Sequence, residues 1–288
     1  MLGRALGRLV GAQDAWGRPV GDFLHRLLSA IFRPIRPVKD FLNGTWLGHP
    51  LHPAITDVPI GAFLVAIVLD LAGQSSGAFL ALAVGQVAFL TAVVTGFADH
   101  ADTDGRARAR ATVHGVIMLV GGTLTAASII TRAGGLTSGT LPTALLILGF
   151  LVIAFSAYVG GDVVFIFGNM VSRHAWRGAA TKWLLLDVDG GADLDGLPEL
   201  KPTKAKLGIN TLFLVRIGAT IHAMHNECAH AGASLAGGTI AGDCIECPFH
   251  GSRFRLADGR VTRGPALYDQ PAYEVRRGEA GWEARRVS

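Results

Sequence analysis

Cys228-Ala229-His230 and, after sixteen intervening residues, Cys247-Pro248-Phe249-His250 decide how this chain is read. Each run offers one thiolate and one imidazole, and along the chain the donors alternate Cys, His, Cys, His. A two-iron, two-sulfur centre suits that order, with both sulfurs on one iron and both imidazoles on the other. Neutral imidazole gives the metal less negative charge than thiolate does, so the reduced state is less disfavoured and the potential rises. A structural zinc ion also takes two Cys and two His, but zinc fingers set a Cys pair before a His pair. The alternation points to electron transfer.

With Gly251-Ser252 and the hairpin-like Phe254-Arg255-Leu256-Ala257-Asp258-Gly259, these runs resemble the Rieske iron–sulfur domain, over about Trp183 to Ser288. The resemblance implies a [2Fe-2S] cluster, with Cys228 and Cys247 on the inner iron and His230 and His250 on the outer, more exposed one. Gly251 and Ser252 would then shape the surroundings of the cluster. Rieske proteins of the respiratory quinol-oxidising complexes add a Cys to each motif and join the two in a disulfide. The corresponding positions here are Ala233 and Phe249, so that bridge is missing. Ser252 stands where such proteins hydrogen-bond a cluster sulfide, whereas the Tyr expected two residues on is Phe254. Fewer donors to the sulfurs imply a potential below the respiratory type, as in a Rieske ferredoxin. Cys244 has no partner left in the chain and reads as a small buried hydrophobe. Three Cys, two of them given to metal, fit a reducing compartment.

Half of the 288 residues are apolar and only 17% are charged, with a positive mean hydropathy. Those values point toward the bilayer. Four stretches, near 54–73, 78–98, 112–131 and 142–161, have the length of about 20 residues that a crossing needs. Small residues such as Gly85, Gly96, Gly121 and Gly122 let such helices approach closely. Residues 1–182 carry 14 Lys/Arg against 9 Asp/Glu, and 183–288 carry 12 against 13. The basic excess thus belongs to the apolar half, which favours anionic lipid over nucleic acid as its partner. Arg4, Arg8, Arg18, Arg26, Arg33, Arg36, Lys39, Arg106, Arg108, Arg110, Arg173, Arg177 and Lys182 all fall on the N-terminal side of the four crossings, and only Arg132 on the other. That asymmetry makes the N-terminal side cytoplasmic and places both termini there. The opening of the chain shows neither a cleavable signal nor a paired-Arg export signal.

Residues 1–46 read as an amphipathic leader. Phe23, Leu24, Leu27, Leu28, Ile31 and Phe32 share a helical face that lies in the membrane interface or packs on the cytoplasmic domain, and Pro34 and Pro37 end that helix. The next segment, His49-Pro50-Leu51-His52-Pro53, opens the first crossing. It resembles the start of an uncharacterised family of four-helix bacterial membrane domains, over about 47–176. At the same membrane depth the four helices bring His49, His52, Asp57, Asp99, His100, His114 and Asp162 together, with His174 just beyond, while Asp70 lies at the opposite end. Ionisable groups at that depth mark a site or a pathway. Three readings stand: a structural network of Asp and His, a haem or metal held by His52 and His114, or a quinone and proton-transfer site.

After residue 183 the runs Thr211–Ile217, Thr220–Met224 and Tyr273–Arg276 are β-rich, and Asp258-Gly259 signals a hairpin. His222 and His225 read as ordinary strand or loop residues, and Asp193–Glu199 as a solvated loop. The expected architecture is multidomain, a transmembrane four-helix bundle followed by an all-β Rieske-type domain. The expected function is one-electron transfer by a membrane-anchored [2Fe-2S] protein, exchanging electrons with a donor and an acceptor that the sequence does not name. The alternative is a redox-sensing or scaffolding module without electron flow. Only 38 residues follow His250, too few for the catalytic iron domain of a Rieske oxygenase. The chain reads as a possible component of an oxidoreductase system.

Overall fold

The computed structural model describes residues 2–136, 139–175, 181–191 and 193–287. Arg177 and Ser288, which entered the sequence reading, lie outside them. The chain divides into two compact units, Met1–Asn169 and Met170–Ser288. The boundary falls before the expected 176, so Arg173 and His174 belong to the C-terminal unit.

The first unit is helical: α1 (Leu2–Ala12), α2 (Asp14–Phe32), α3 (Arg36–Asn43), α4 (Leu51–Leu71), α5 (Ser75–His100), α6 (Gly105–Ala133) and α7 (Thr140–Phe165). The last four are long and apolar enough to cross a membrane. Large apolar side chains such as Val68, Leu80, Val87, Leu119, Ile130 and Leu151 stand exposed around them, as lipid-facing residues do. Inside lie Phe63, Leu82, Phe89, Leu146 and Ile153.

The bundle is a repeat of one hairpin. The buried positions of α5, from Ala78 through Leu82, Gly85, Phe89, Ala92 and Thr95 to Ala98, recur at a constant offset in α7 as Pro142, Leu146, Gly149, Ile153, Ser156, Val159 and Asp162. Likewise Pro59, Phe63 and Ala66 of α4 match Gly121, Thr125 and Ser128 of α6. Gly85 packs on Phe63, and its counterpart Gly149 packs on Thr125. Both hairpins enter from the same end, so the repeat axis runs along the bundle. α4 and α6 each pack on α5 and α7, which leaves α4 diagonal to α6.

The leader differs from expectation in two ways. α2 packs against α6 inside the first unit: Gly17 lies against Ala109 and Val113, and Gly21 against Thr112. A Cβ on Gly17 would meet the Ala109 carbonyl at 2.8 Å, so only glycine permits this approach. The apolar face splits as a result. Leu28 and Phe32 bury against Ala98 and Ala101, whereas Phe23, Leu27 and Ile31 form an exposed stripe with Trp16 and Val20. Pro37 does not end a helix; it sits in the first turn of α3, where a missing N–H costs nothing.

The second unit is all-β. One sheet has the order β1-β11-β10-β5-β4-β3-β2 and the other β6-β7-β8-β9. In the first, β1 is Leu184–Leu185, β2 Asp187–Val188, β3 Thr203–Leu207, β4 Asn210–Ile217, β5 Thr220–His225, β10 Ala272–Gly278 and β11 Gly281–Arg286. In the second, β6 is Thr239–Ala241, β7 Cys244–Glu246, β8 Arg253–Arg255 and β9 Val261–Arg263. β4 is central and buries both faces: Phe213 and Val215 join one core, Leu212 and Leu214 the other. The first core also contains Phe254, Ile245, Cys228 and Cys247. The stretch 193–199 is not merely a solvated loop, because Leu194 and Leu197 plug the second core.

Candidate functional site

Two loops of the second unit carry the motif, one between β5 and β6 and one between β7 and β8, and they close by the same hydrogen bonds. In the first, Cys228 O accepts from Gly232 N at 2.9 Å, and Cys228 N donates to Ala233 O at 2.8 Å. In the second, Cys247 O accepts from Gly251 N at 3.1 Å, and Cys247 N donates to Ser252 O at 2.8 Å. Gly232 and Gly251 hold φ of 79° and 73°, which favours glycine at both places. The shared Cys-x-x-x-Gly spacing, visible in the sequence, is the signal that marks Gly232 as the counterpart of Gly251.

The loops present their thiols to each other. The Cys228 thiol hydrogen-bonds to Cys247 and takes no part in a disulfide. That bond lowers the Cys247 thiol to about 7 and, together with burial, pushes the Cys228 thiol up. Backbone N–H groups of His230 and Ala231 point at the Cys228 sulfur, and those of Phe249 and His250 at the Cys247 sulfur. Such paired N–H groups make a concave seat for negative sulfur. The rings of His230 and His250 lie 5.0 Å apart between centroids, at 88°. Two imidazoles bound to one tetrahedral ion at about 2.0 Å each bring their ring centres to about 5 Å. The four donors therefore fit a thiolate-ligated and an imidazole-ligated iron. Among the described residues no three such donors meet at one point, as a single structural ion would require.

The surrounding shell contains residues that sequence reasoning missed. Gln270, fully buried, accepts from Ala229 N at 2.9 Å and donates to the carbonyls of His225 and Glu227 at 2.5 and 2.6 Å. It lies far from the motif in sequence, and a lone Gln carries no pattern that would reveal it. Arg263 donates to Gly251 O from Nε at 2.8 Å and pairs with Glu246 at 2.8 Å. Ser252 Oγ accepts from Ala266 N at 3.0 Å, which leaves the hydroxyl proton free for a further acceptor. Phe254 is fully buried core. Cys244 is buried too, with its thiol against Asp243 and Thr262, and burial raises it.

The two imidazoles are not equally open. His230 is buried, with Met170, Val171, Pro265, Leu267 and Tyr268 around it, and Arg173 Nε reaches its carbonyl at 3.4 Å. His250 is half-buried, and beside it Phe249 stands 62% exposed. The open edge is therefore that of His250. His174, expected near the membrane cluster, instead donates from Nε2 to Glu227 O at 3.0 Å and packs at a tilt against the His225 ring, 4.5 Å away.

The expected convergence of seven ionisable groups in the bundle is not what the structure shows. His49 and Asp57 are exposed and drop out. Asp162 pairs with Arg110, which Asp14 also holds at 3.2 Å. His100 donates from Nε2 to Thr112 Oγ1 at 2.9 Å. Asp99 is buried near the Lys39–Asp102 pair. Asp162 thus pairs with Arg and not with His, because a full guanidinium charge answers a buried carboxylate better. His52 and His114 remain, their rings neighbouring one another edge-on at 6.4 Å between centroids. Asp70 pairs with Arg132 and Thr143, so the two charges that stood apart in the topology bind one another.

Comparison with known proteins agrees with this division. A family model for the Rieske [2Fe-2S] domain matches residues 191–274, and one for a predicted membrane protein (DUF2231) matches 48–183. A ferredoxin component of naphthalene 1,2-dioxygenase/salicylate 5-hydroxylase systems from Ralstonia sp. is 32% identical over 85 residues, which are 30% of this chain and 82% of that protein. Ferredoxin CarAc of Metapseudomonas resinovorans is 37% identical over 70 residues, 24% of this chain. The chain spans 65% of that ferredoxin's length and 12% of that of another relative, a Xenopus laevis cholesterol 7-desaturase. Among solved structures, the ferredoxin of carbazole 1,9a-dioxygenase from Nocardioides aromaticivorans IC177 is 32% identical, covering 33% of this chain and 92% of that one, with a TM-score of 0.30. Through its C-terminal domain, then, this chain belongs to the Rieske [2Fe-2S] family, and that domain follows one of the DUF2231 membrane type.

Proposed function

We propose that this protein is a membrane-anchored one-electron carrier whose [2Fe-2S] cluster is held by Cys228, Cys247, His230 and His250. The observation that carries the reading is the pair of loops closed alike, thiols facing each other and imidazoles spaced for one ion. When bound, the cluster supplies a reversible one-electron couple. The chain's own residues set its surroundings. Backbone N–H groups of both loops favour negative sulfur, and the Ser252 hydroxyl is placed to donate to it. Arg263 holds the second loop and Gln270 the first, so the ligands keep their geometry whichever charge state they serve. The buried side of His230 excludes water, and electrons enter and leave at the His250 edge.

The membrane domain anchors this carrier, confining it to two dimensions with its partners and raising their effective concentration. Ferredoxin relatives are components of dioxygenase systems, and we assign this chain the corresponding task for a membrane or membrane-adjacent oxidoreductase. The crowding of Lys/Arg on one side of the crossings supports a cytoplasmic cluster. Any haem or quinone held by the membrane domain would belong to the same chain of electron transfer.

The test is iron, sulfide and EPR analysis of the purified full-length protein. The expected result is two irons and two sulfides with the reduced-state spectrum of a His-ligated cluster, changed in His230→Cys. Zinc in place of iron would sink the proposal. For orientation, a C-terminal fluorescent reporter should light up in intact cells; a tail cleaved by external protease would reverse the assignment.

A further inference from the structure

The first unit contains a pair of histidines that no ion pair or network consumes. His52 lies in the first turn of α4 and His114 in α6, on diagonally opposed helices. His52 Nδ1–H donates to Ala92 O at 2.8 Å, and His114 Nδ1–H donates to Ser156 O at 2.8 Å. A carbonyl can only accept, so in each neutral ring the proton sits on Nδ1 and Nε2 keeps its lone pair. Among the described residues neither Nε2 has a hydrogen-bond partner. Metal-bound histidines are held in this way, with the far nitrogen tied to a carbonyl that fixes tautomer and angle.

The two rings are equivalent under the hairpin repeat. Gly96 lies against the His52 ring and its counterpart Gly160 against the His114 ring, where a Cβ would come within 3.0 and 2.8 Å of Cε1. Each hairpin thus gives up a side chain to seat an imidazole. The ring centroids are 6.4 Å apart, with planes at 75°. Two imidazoles in trans on one metal, each at about 2.0 Å, place their centres about 6 Å apart. That spacing is wider than the 5.0 Å of His230 and His250, and it suits a linear nitrogen–metal–nitrogen axis.

Among the described residues no third Cys, His, Asp or Glu joins them. Zinc and hard cations need four or more donors, so two neutral nitrogens do not hold them. Two kinds of metal are completed by such a pair: a haem iron, which brings four in-plane nitrogens, and cuprous copper, a soft ion of low coordination number. We propose that His52 and His114 are the trans axial ligands of one metal centre on the repeat axis of the bundle, either a haem iron or cuprous copper.

The experiment uses the full-length chain in detergent, alongside a Cys247→Ser version that removes the [2Fe-2S] chromophore, so that failure here and failure of the carrier reading remain distinguishable. Both are titrated with hemin, and separately with cuprous ion under reductant. One equivalent of one of these should bind per chain, in the Cys247→Ser version as well. Haem would give a sharp, low-spin Soret band; copper would give two-nitrogen coordination by X-ray absorption. Affinity should fall more than about 100-fold in His52→Ala and in His114→Ala, beyond the loss from disturbing an outer partner alone. It should be unchanged in the exposed His49→Ala. His114→Met, which keeps a donor, should shift the haem or copper spectrum instead of abolishing it, and so reports on ligation even if the Ala variants fold poorly. No binding of either metal to the well-folded chain overturns the proposal, as does binding that both His variants leave intact.

Discussion

At the scale of single residues, conformation matters more than side-chain size in the cluster loops. A Cβ on Gly232 would meet nothing within 4 Å, so only the left-handed backbone restricts what stands there. Gly232→Ala should cost about 1–2 kcal/mol, and Gly232→Asn less, because Asn tolerates that region. The order is checked by iron retention and by the temperature at which the visible spectrum bleaches. If size ruled instead, Ala would be the milder change. Gln270→Leu removes three hydrogen bonds at once and leaves buried backbone groups unanswered, at about 1–3 kcal/mol each. A loaded protein that loses its cluster at least as readily as Gly232→Ala is expected. The four donors were legible because their types and order are chemically restrictive. Gln270, Arg263 and Arg173 were not, since each acts on a carbonyl of a distant loop, and only the fold brings them there.

At the scale of elements, hydropathy marked the four long apolar helices, the widest miss being the start of α6 at Gly105 where 112 was expected, because an uninterrupted apolar run leaves few other structures open. Hydropathy could not show that the hairpins repeat: lipid-facing positions vary freely, and only the sparse inward ones correspond. The repeat predicts paired behaviour. A Cβ on Gly85 would come within 2.7 Å of Phe63, and one on Gly149 within 2.8 Å of Thr125. Gly85→Val and Gly149→Val should each destabilise the bundle by about 1–3 kcal/mol through overpacking. Thermal unfolding in detergent would show this, and a large cost in one hairpin alone would count against the correspondence. The packing of the leader was hidden for a related reason. Its apolar residues do follow a helical period, but the glycines at 17 and 21 turn the opposite side toward α6.

At the scale of the whole molecule, charge placement sorts into orientation and cohesion. The basic residues that favour a cytoplasmic N-terminal side are partly spent on ion pairs, Arg108 with Asp22 and Arg110 with Asp14 and Asp162. At the far end, Asp70 of α4 meets Arg132 of α6 with side chains only 3% and 1% exposed. This pair ties one hairpin to the other. Asp70→Asn should therefore cost about 3–5 kcal/mol by removing the counter-charge from a buried guanidinium, while the joint replacement Asp70→Leu with Arg132→Met should recover most of it. Thermal denaturation of the three variants decides the matter, and an additive double variant would contradict the tie.

The like hairpins have a consequence for assembly. Because α4–α5 and α6–α7 enter from one side and meet around a shared axis, each hairpin offers the other a face built to one plan, with Asp70 of the first answered by Arg132 at the matching place in the second. Two copies of the first hairpin alone would set one buried carboxylate against another, whereas the fused chain lets its halves diverge and place opposite charges where like ones would otherwise meet.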